Sequence, residues 1–83
     1  MDMKTLTRVH REVLGVEQLE LTPTMTSRDV ESWDSLAQVK LIIAIEQAFK
    51  ISFDIEELTN IRHIGDMVTL IQKKGCEISW NDE

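Results

Sequence analysis

The stretch Asp34-Ser35-Leu36-Ala37-Gln38-Val39-Lys40-Leu41-Ile42-Ile43-Ala44-Ile45-Glu46-Gln47-Ala48-Phe49 decides the fold. A polar loop ends here and the most apolar helix of the chain begins. Ser35 is a good N-cap residue, Gln38 three positions on can complete a capping box, and Asp34 brings negative charge to the positive end of the helix dipole. From Leu36 onward, Val39, Ile42, Ile43, Ile45, Ala48 and Phe49 form an apolar face wide enough to touch several other helices. Gln38, Lys40, Glu46, Gln47 and Lys50 are left for water. The spacing predicts a central helix over 35–49 that presents a hydroxyl at its exposed corner.

Toward the N-terminus, Met3, Leu6, Val9, Val13 and Leu14 share one helical face with Lys4, Arg8, Arg11 and Glu12 opposite, which predicts a first helix over 3–14. Asp2 is placed to cap it and Gly15 to end it as a left-handed residue. His10 lies beside the apolar stripe, where a lone histidine reads as a boundary residue. Residues 16–33 hold Pro23 and the cluster Thr22, Thr24, Thr26, Ser27, and keep neither helical nor strand period. A loop this long is functional or disordered in most domains. Val16, Leu19, Leu21, Met25, Val30 and Trp33 are spaced to pin it down, so an ordered loop is expected, with the first two helices joined by a long crossover.

Toward the C-terminus, Asp54 as N-cap and Glu57 at the third helical position form a complete start signal, and Phe53 is placed to staple onto Leu58. This predicts a short third helix ending near Thr59 or Asn60. Ile64, Met67, Val68 and Ile71 then follow helical spacing, with Asn60 or His63 as its cap and Lys73, Lys74 and Gly75 at its end. The expected architecture is all-α: a four-helix bundle with a long loop between helices one and two and a short third helix. The domain is expected over 1–75, and 76–83, polar apart from Ile78 and Trp80, as a flexible tail.

Composition supports this. With one proline, three glycines, two Phe, two Trp and no Tyr in 83 residues, aliphatic side chains at helical spacing must supply a single small core. The net charge of −6 is concentrated between Asp29 and Glu57, which hold seven acids against two bases. Such a segment repels a phosphate backbone, so nucleic acid is excluded as a partner and basic protein surfaces are favoured. The single Cys76 allows no internal disulfide, and the N-terminus has neither a signal-peptide core nor a membrane-length apolar run. The expectation is a cytoplasmic monomer with no membrane span.

Catalysis finds little footing. A nucleophile from Ser35 or Cys76, a base from His10 or His63 and an orienting carboxylate fall at no recognisable spacing, and two isolated histidines with one cysteine give no metal-ligand pair. The chain is expected not to be an enzyme and to hold no metal. Taken alone, Ser35 is an N-cap that contributes about 1 kcal/mol to its helix.

The motif within its frame resembles the modification site of acyl carrier proteins. The resemblance extends over nearly the whole chain: a first amphipathic helix, a long loop, Asp34-Ser35-Leu36 heading the second helix, a short acidic helix at Asp54-Ile55-Glu56-Glu57-Leu58 and a fourth helix near Ile61-Arg62-His63-Ile64. It implies that Ser35 carries a covalent 4′-phosphopantetheine arm from coenzyme A, installed by a phosphopantetheinyl transferase, with Asp34 helping to position magnesium and the serine. It also implies contacts with acyl-loading and acyl-transferring enzymes at Leu36, Val39, Lys40, Glu56, Glu57 and Ile61, and shelter for the cargo near Ile61. Ala37, Gln38, Lys40 and Gln47 stand where carriers of fatty-acid synthesis have acids, and Ser32-Trp33 stands where peptidyl carriers have paired glycines. The chain is therefore more similar to free-standing carriers of secondary-metabolite, lipid or polysaccharide pathways. A peptidyl or aminoacyl carrier, or a non-covalent helical interaction domain in which Ser35 only caps, are the alternatives.

Overall fold

The structure is a computed structural model and describes residues 3–80. Its elements are α1 (Met3–Leu14), a 3-10 turn (Ser27–Asp29), α2 (Ser35–Phe49), α3 (Ile55–Thr59) and α4 (Ile64–Lys73). All regular structure among the described residues is helical. The four helices lie where the sequence places them, because each carries its own start and stop signals. Gly15 ends α1 with φ +70°, its N–H donating to Arg11 O, as a left-handed C-terminal residue should. α3 opens with both halves of a capping box: Glu57 N–H donates to Asp54 Oδ1 at 2.8 Å, and Asp54 N–H to Glu57 Oε1 at 3.0 Å. Asp2, the expected cap of α1, lies outside the described residues.

The core is one cluster drawn from α1, the long loop, α2, α4 and the segment after it. Leu6 and Val9 of α1, Leu41, Ile45 and Phe49 of α2, and Ile64, Met67, Val68 and Ile71 of α4 are all buried. α1 packs directly on α2. The long loop is ordered, as the spacing of its apolar residues implies: Val30 is buried, and Val16, Leu19, Leu21, Met25 and Trp33 pack against the core. Polar ties then fix its course. Arg11 Nε donates to Leu19 O (2.8 Å), Ile64 N–H to Met25 O (2.9 Å), Gly65 N–H to Pro23 O (2.8 Å) and Ser32 Oγ to Leu14 O (2.7 Å). The strap therefore leaves α1, crosses to the start of α4 and returns to the end of α1 before α2 begins. Within it, Thr26 and Asp29 form a capping box around the 3-10 turn, a small element that the sequence reading did not foresee.

Three expectations need correction. Ser35 is not the N-cap of α2. Asp34 is: its backbone is extended, its Oδ1 accepts the Ala37 N–H at 2.9 Å and its carbonyl accepts the Gln38 N–H, which leaves Ser35 as the first residue within the helix. Gln38 closes no box, because its Oε1 accepts from Trp33 Nε1 at 2.7 Å. The buried seam of α2 is also narrower than expected. Ala37, Leu41, Ile45 and Phe49 repeat every four residues toward the core, while Leu36, Val39 and Ile43 are 63%, 54% and 48% exposed. Finally, the chain after α4 does not leave the body at once. Ile78 is buried, Cys76 and Trp80 pack on the core, and Gln72 Nε2 donates to Ile78 O at 2.6 Å.

Candidate functional site

The site grows from the start of α2. Asp34 provides both the cap and the first helical carbonyl, so Ser35 enters the helix with its side chain exposed and without a role in capping. The start is held from below. Trp33 is half-buried, hydrogen-bonded to Gln38 on the first turn and set edge-on to His10 with ring centroids 5.5 Å apart. His10 is only 2% exposed, which corrects the expectation of a boundary residue, and its Nδ1 lies 2.8 Å from Leu6 O. A carbonyl only accepts, so Nδ1 carries the proton. Burial pushes the His10 pKa below its ordinary value, against a smaller opposing pull from Leu6 O, and keeps the ring neutral.

The other residues singled out from sequence fall into two groups. Leu36, Val39 and Lys40 are exposed on α2, where the spacing of Leu36, Val39 and Ile43 puts them along one side of the helix; Ile55, at the head of α3, is separately 79% exposed. Leaving such side chains in water forgoes about 1.5–3 kcal/mol of burial each, and a cluster of them marks a face for association. Glu56 is exposed on α3. Glu57 instead holds α3 to α4: beside its capping bond, its carboxylate lies 2.9 Å from Lys74 Nζ, and that hydrogen bond, with the Asp54 N–H, lowers its pKa from the ordinary value. Lys74 Nζ also stands over the Phe53 ring at 5.6 Å.

Ile61 belongs to a cavity that sequence reasoning could not draw. The cavity, of about 150 Å³, opens between α2, the loop at Met25–Ser27 and the start of α4. Gln38, Leu41, Ile42 and Ile45 form its α2 wall. Ile61, Ile64 and Met67 line it from the α4 side, His10 and Trp33 also border it, and Thr26, Ser27, Arg62 and His63 add polar groups to the lining. The spacing of Gln38, Leu41, Ile42 and Ile45 is the signal that could have found it, because that stripe begins one turn after Ser35. Among the described residues, no group of three or more His, Cys, Asp or Glu stands where it could hold a metal ion, and no helix is long and apolar enough to cross a membrane.

An exposed hydroxyl on the first residue of a 15-residue helix suits a phosphodiester-linked group, since first-turn N–H groups and the helix dipole favour negative charge there. Comparison with known proteins agrees. Residues 4–71 match the family model described as a phosphopantetheine attachment site. The chain is similar to the meromycolate extension acyl carrier protein of Mycobacterium leprae (strain TN), 34% identical over 68 residues that make up 82% of this chain and 59% of that protein. It is equally similar, at 34%, to the protein of that name from Mycolicibacterium aurum, over 82% of this chain and 70% of the other. Among solved structures it resembles the holo acyl carrier protein of Geobacter metallireducens, with TM-score 0.81 and 33% identity over 87% of this chain and 83% of that one. The family model and the holo neighbour indicate a covalently attached 4′-phosphopantetheine as cofactor, and the chain belongs to the acyl carrier protein family.

Proposed function

We propose that the protein is an acyl carrier in a specialised lipid-type pathway and that Ser35 bears the phosphopantetheine arm. The observation that carries this reading is the division of labour at the α2 start: Asp34 makes the cap, so the exposed Ser35 is free for modification at no structural cost. In the modification the Ser35 hydroxyl forms an O–P bond, the pyrophosphate bond of coenzyme A breaks, its adenosine bisphosphate half leaves and the serine proton is released. A separate transferase catalyses that step, with Asp34 helping to place magnesium and the serine. The thiol of the arm then holds an acyl group as a thioester.

The chain's own residues do the rest. Leu36, Val39, Ile43 and Lys40 present an apolar face with a polar edge to the transferase and to acyl-loading and acyl-transferring enzymes, and Glu56 adds negative charge from α3. Docking of this kind is steered by charge and released quickly, as a shuttle requires. The cavity bounded by Ile42, Ile61 and Met67 shelters the cargo from water between encounters. On this reading the protein is substrate and carrier rather than catalyst. Its relatives' names place those proteins in meromycolate extension, which favours lipid chemistry for this chain as well.

The test is incubation of the purified protein with coenzyme A, magnesium and a broad-specificity phosphopantetheinyl transferase, read by intact mass for wild type and Ser35→Ala. Wild type gains one phosphopantetheinyl group and the variant gains none. A wild type left unmodified beside a control carrier that is modified would overturn the reading.

A further inference from the structure

The residues on either side of Ser35 are joined to each other across it. Asp34 is the N-cap of α2, so Trp33 stands just before the cap and Gln38 is the fourth residue of the helix. An apolar contact between these two positions is the hydrophobic staple, which fixes the angle at which a chain enters a helix. Here the same two positions are tied by a hydrogen bond, Trp33 Nε1 donating to Gln38 Oε1 at 2.7 Å, between two half-buried side chains. The staple is itself anchored to α1. The Trp33 ring meets the His10 ring edge-on, with centroids 5.5 Å apart and planes at 68°, and His10 is buried with its Nδ1 held on Leu6 O. One residue earlier, Ser32 Oγ donates to Leu14 O at 2.7 Å. The capping bond from the Ala37 N–H to Asp34 Oδ1 closes the first turn without setting where that turn stands on the body of the protein. The ties made by Ser32, Trp33 and Gln38 set that.

We infer that Trp33 and Gln38 are positioning residues for the modification of Ser35, acting through this staple to fix the direction in which its hydroxyl is presented. Neither supplies a reacting atom. In the transfer, Ser35 Oγ must approach the phosphorus of coenzyme A in line with the departing oxygen, and a misplacement of about 1 Å can cost about 100-fold in rate. Without the staple the cap remains, but Ser35 sits on a turn free to swing about the chain that enters it, and that freedom must be frozen in every encounter. The buried seam of Ala37, Leu41, Ile45 and Phe49 holds the rest of α2 in place with or without the staple, and the exposed Leu36, Val39 and Ile43 keep their places on the helix. The staple therefore acts on the rate of the bound complex and leaves docking and the global fold nearly alone. Its effect is that of one neutral hydrogen bond, a factor of about five in rate.

The inference rests on the carrier reading, and the experiment keeps the two apart. Wild type, Trp33→Phe, Gln38→Leu, the double variant of these two and Gln38→Glu are each titrated as substrate of a broad-specificity phosphopantetheinyl transferase with coenzyme A and magnesium, at a temperature where all are folded. Intact mass then gives kcat and KM for each. A wild type that is never modified would remove the carrier reading and this inference with it. Trp33→Phe keeps a ring beside His10 and loses the N–H donor, Gln38→Leu loses the acceptor, and Gln38→Glu keeps an acceptor at the positive end of the helix. In Trp33→Phe and Gln38→Leu, kcat should fall about fivefold with KM held within about twofold. The double variant should be no slower than either single one, because each breaks the same bond. Gln38→Glu should keep the wild-type kcat, a rescue that a general loosening of the fold would not show. Should Trp33→Phe not fold, Gln38→Leu against Gln38→Glu carries the comparison. A wild-type kcat in Gln38→Leu, equal losses in Gln38→Leu and Gln38→Glu, additive losses in the double variant, or a loss confined to KM would overturn the inference while leaving the carrier reading in place.

Discussion

The starts of α2 and α4 are built from similar signals and put to opposite uses. Before α4, the loop folds over the helix end: Met25 O and Pro23 O accept the N–H groups of Ile64 and Gly65, Ile64 is buried, and Asp66 Oδ2 accepts from the backbone of Arg62 and His63. Before α2, the cap comes from the adjacent Asp34, and both Ser35 and Leu36 stand in solvent. The first arrangement spends its unpaired N–H groups on tertiary structure and is closed to chemistry. The second satisfies the helix locally and leaves the corner open. On the proposed function, what fits a helix start for modification is thus where its cap comes from, more than which helix it begins.

Removing the hydroxyl tests that difference most sharply. Ser35→Ala should abolish modification completely, as intact mass would show, while thermal unfolding stays within about 0.5 kcal/mol of wild type, because an exposed first-turn residue that makes no cap contributes little. A large loss of stability would show that Ser35 holds the helix after all. At the other start, Gly65→Ala should do the reverse. A Cβ there would lie 2.9 Å from Pro23 O, a backbone atom that cannot swing aside, so the strap must shift. Overpacking of this kind costs about 1–3 kcal/mol, offset by about 1 kcal/mol of helix propensity. The expected result is a lower Tm with modification of Ser35 retained.

Why the two starts looked alike beforehand is instructive. The four helices, the ordered loop and the α3 capping box were legible because their signals are local: periodicity, a glycine after the last apolar residue, an acid three places into a helix. The serine proposed to carry the arm stands out in the sequence by its motif and frame. Choosing between Asp34 and Ser35 as cap was not, since both are good cap residues and the choice is made by which residues of α2 meet the core. The four-residue repeat of Ala37, Leu41, Ile45 and Phe49 settles it, and the same rotation exposes Leu36, Val39 and Ile43. His10 escaped for a related reason. Its burial depends on Trp33 folding back from 23 residues away along the chain, which periodicity within α1 does not encode. The cavity, with walls from three segments, is a tertiary feature throughout.

Asp34→Ala sharpens the comparison from the other side. Losing the carboxylate that accepts the Ala37 N–H should cost about 1 kcal/mol, or about 4–8 °C in Tm for a domain of this size. The capping residue of the open start should then prove more important to the fold than the serine beside it. An unchanged Tm would mean that the packing of Trp33 and Ala37 alone fixes where α2 begins.

The support beneath the open start should respond to acid. The His10 pKa is lowered in the folded state from its ordinary 6.5, so the unfolded chain takes up the proton first as pH falls. Stability from keeping this ring neutral is present above about pH 6.5 and is lost as pH drops from there through the depressed folded value. Denaturant titrations between pH 7.5 and 5 should show this decline in wild type and a flatter profile in His10→Leu. Identical profiles would place the acid sensitivity elsewhere.

The smallest effect belongs to α3, whose start is neither open nor covered by the loop but tied to the end of α4 through Glu57 and Lys74. The Glu57 carboxyl titrates below its ordinary 4.5, first because Lys74 donates to it and next because the Asp54 N–H does. Its contribution is therefore present above about pH 4.5 and lost as pH falls through the lower folded value. Both side chains reach solvent, so salt should screen much of the effect. Lys74→Met removes the larger cause and leaves the capping bond in place. The variant should lose less stability than wild type between pH 5 and 3, with the difference shrinking in 0.5 M salt, a concentration at which the screening length is only about 4 Å. If the acid limb of the variant matched that of wild type at low salt, the capping bond alone would account for the lowered Glu57 pKa, and α3 would have to be regarded as capped within itself and only resting against α4.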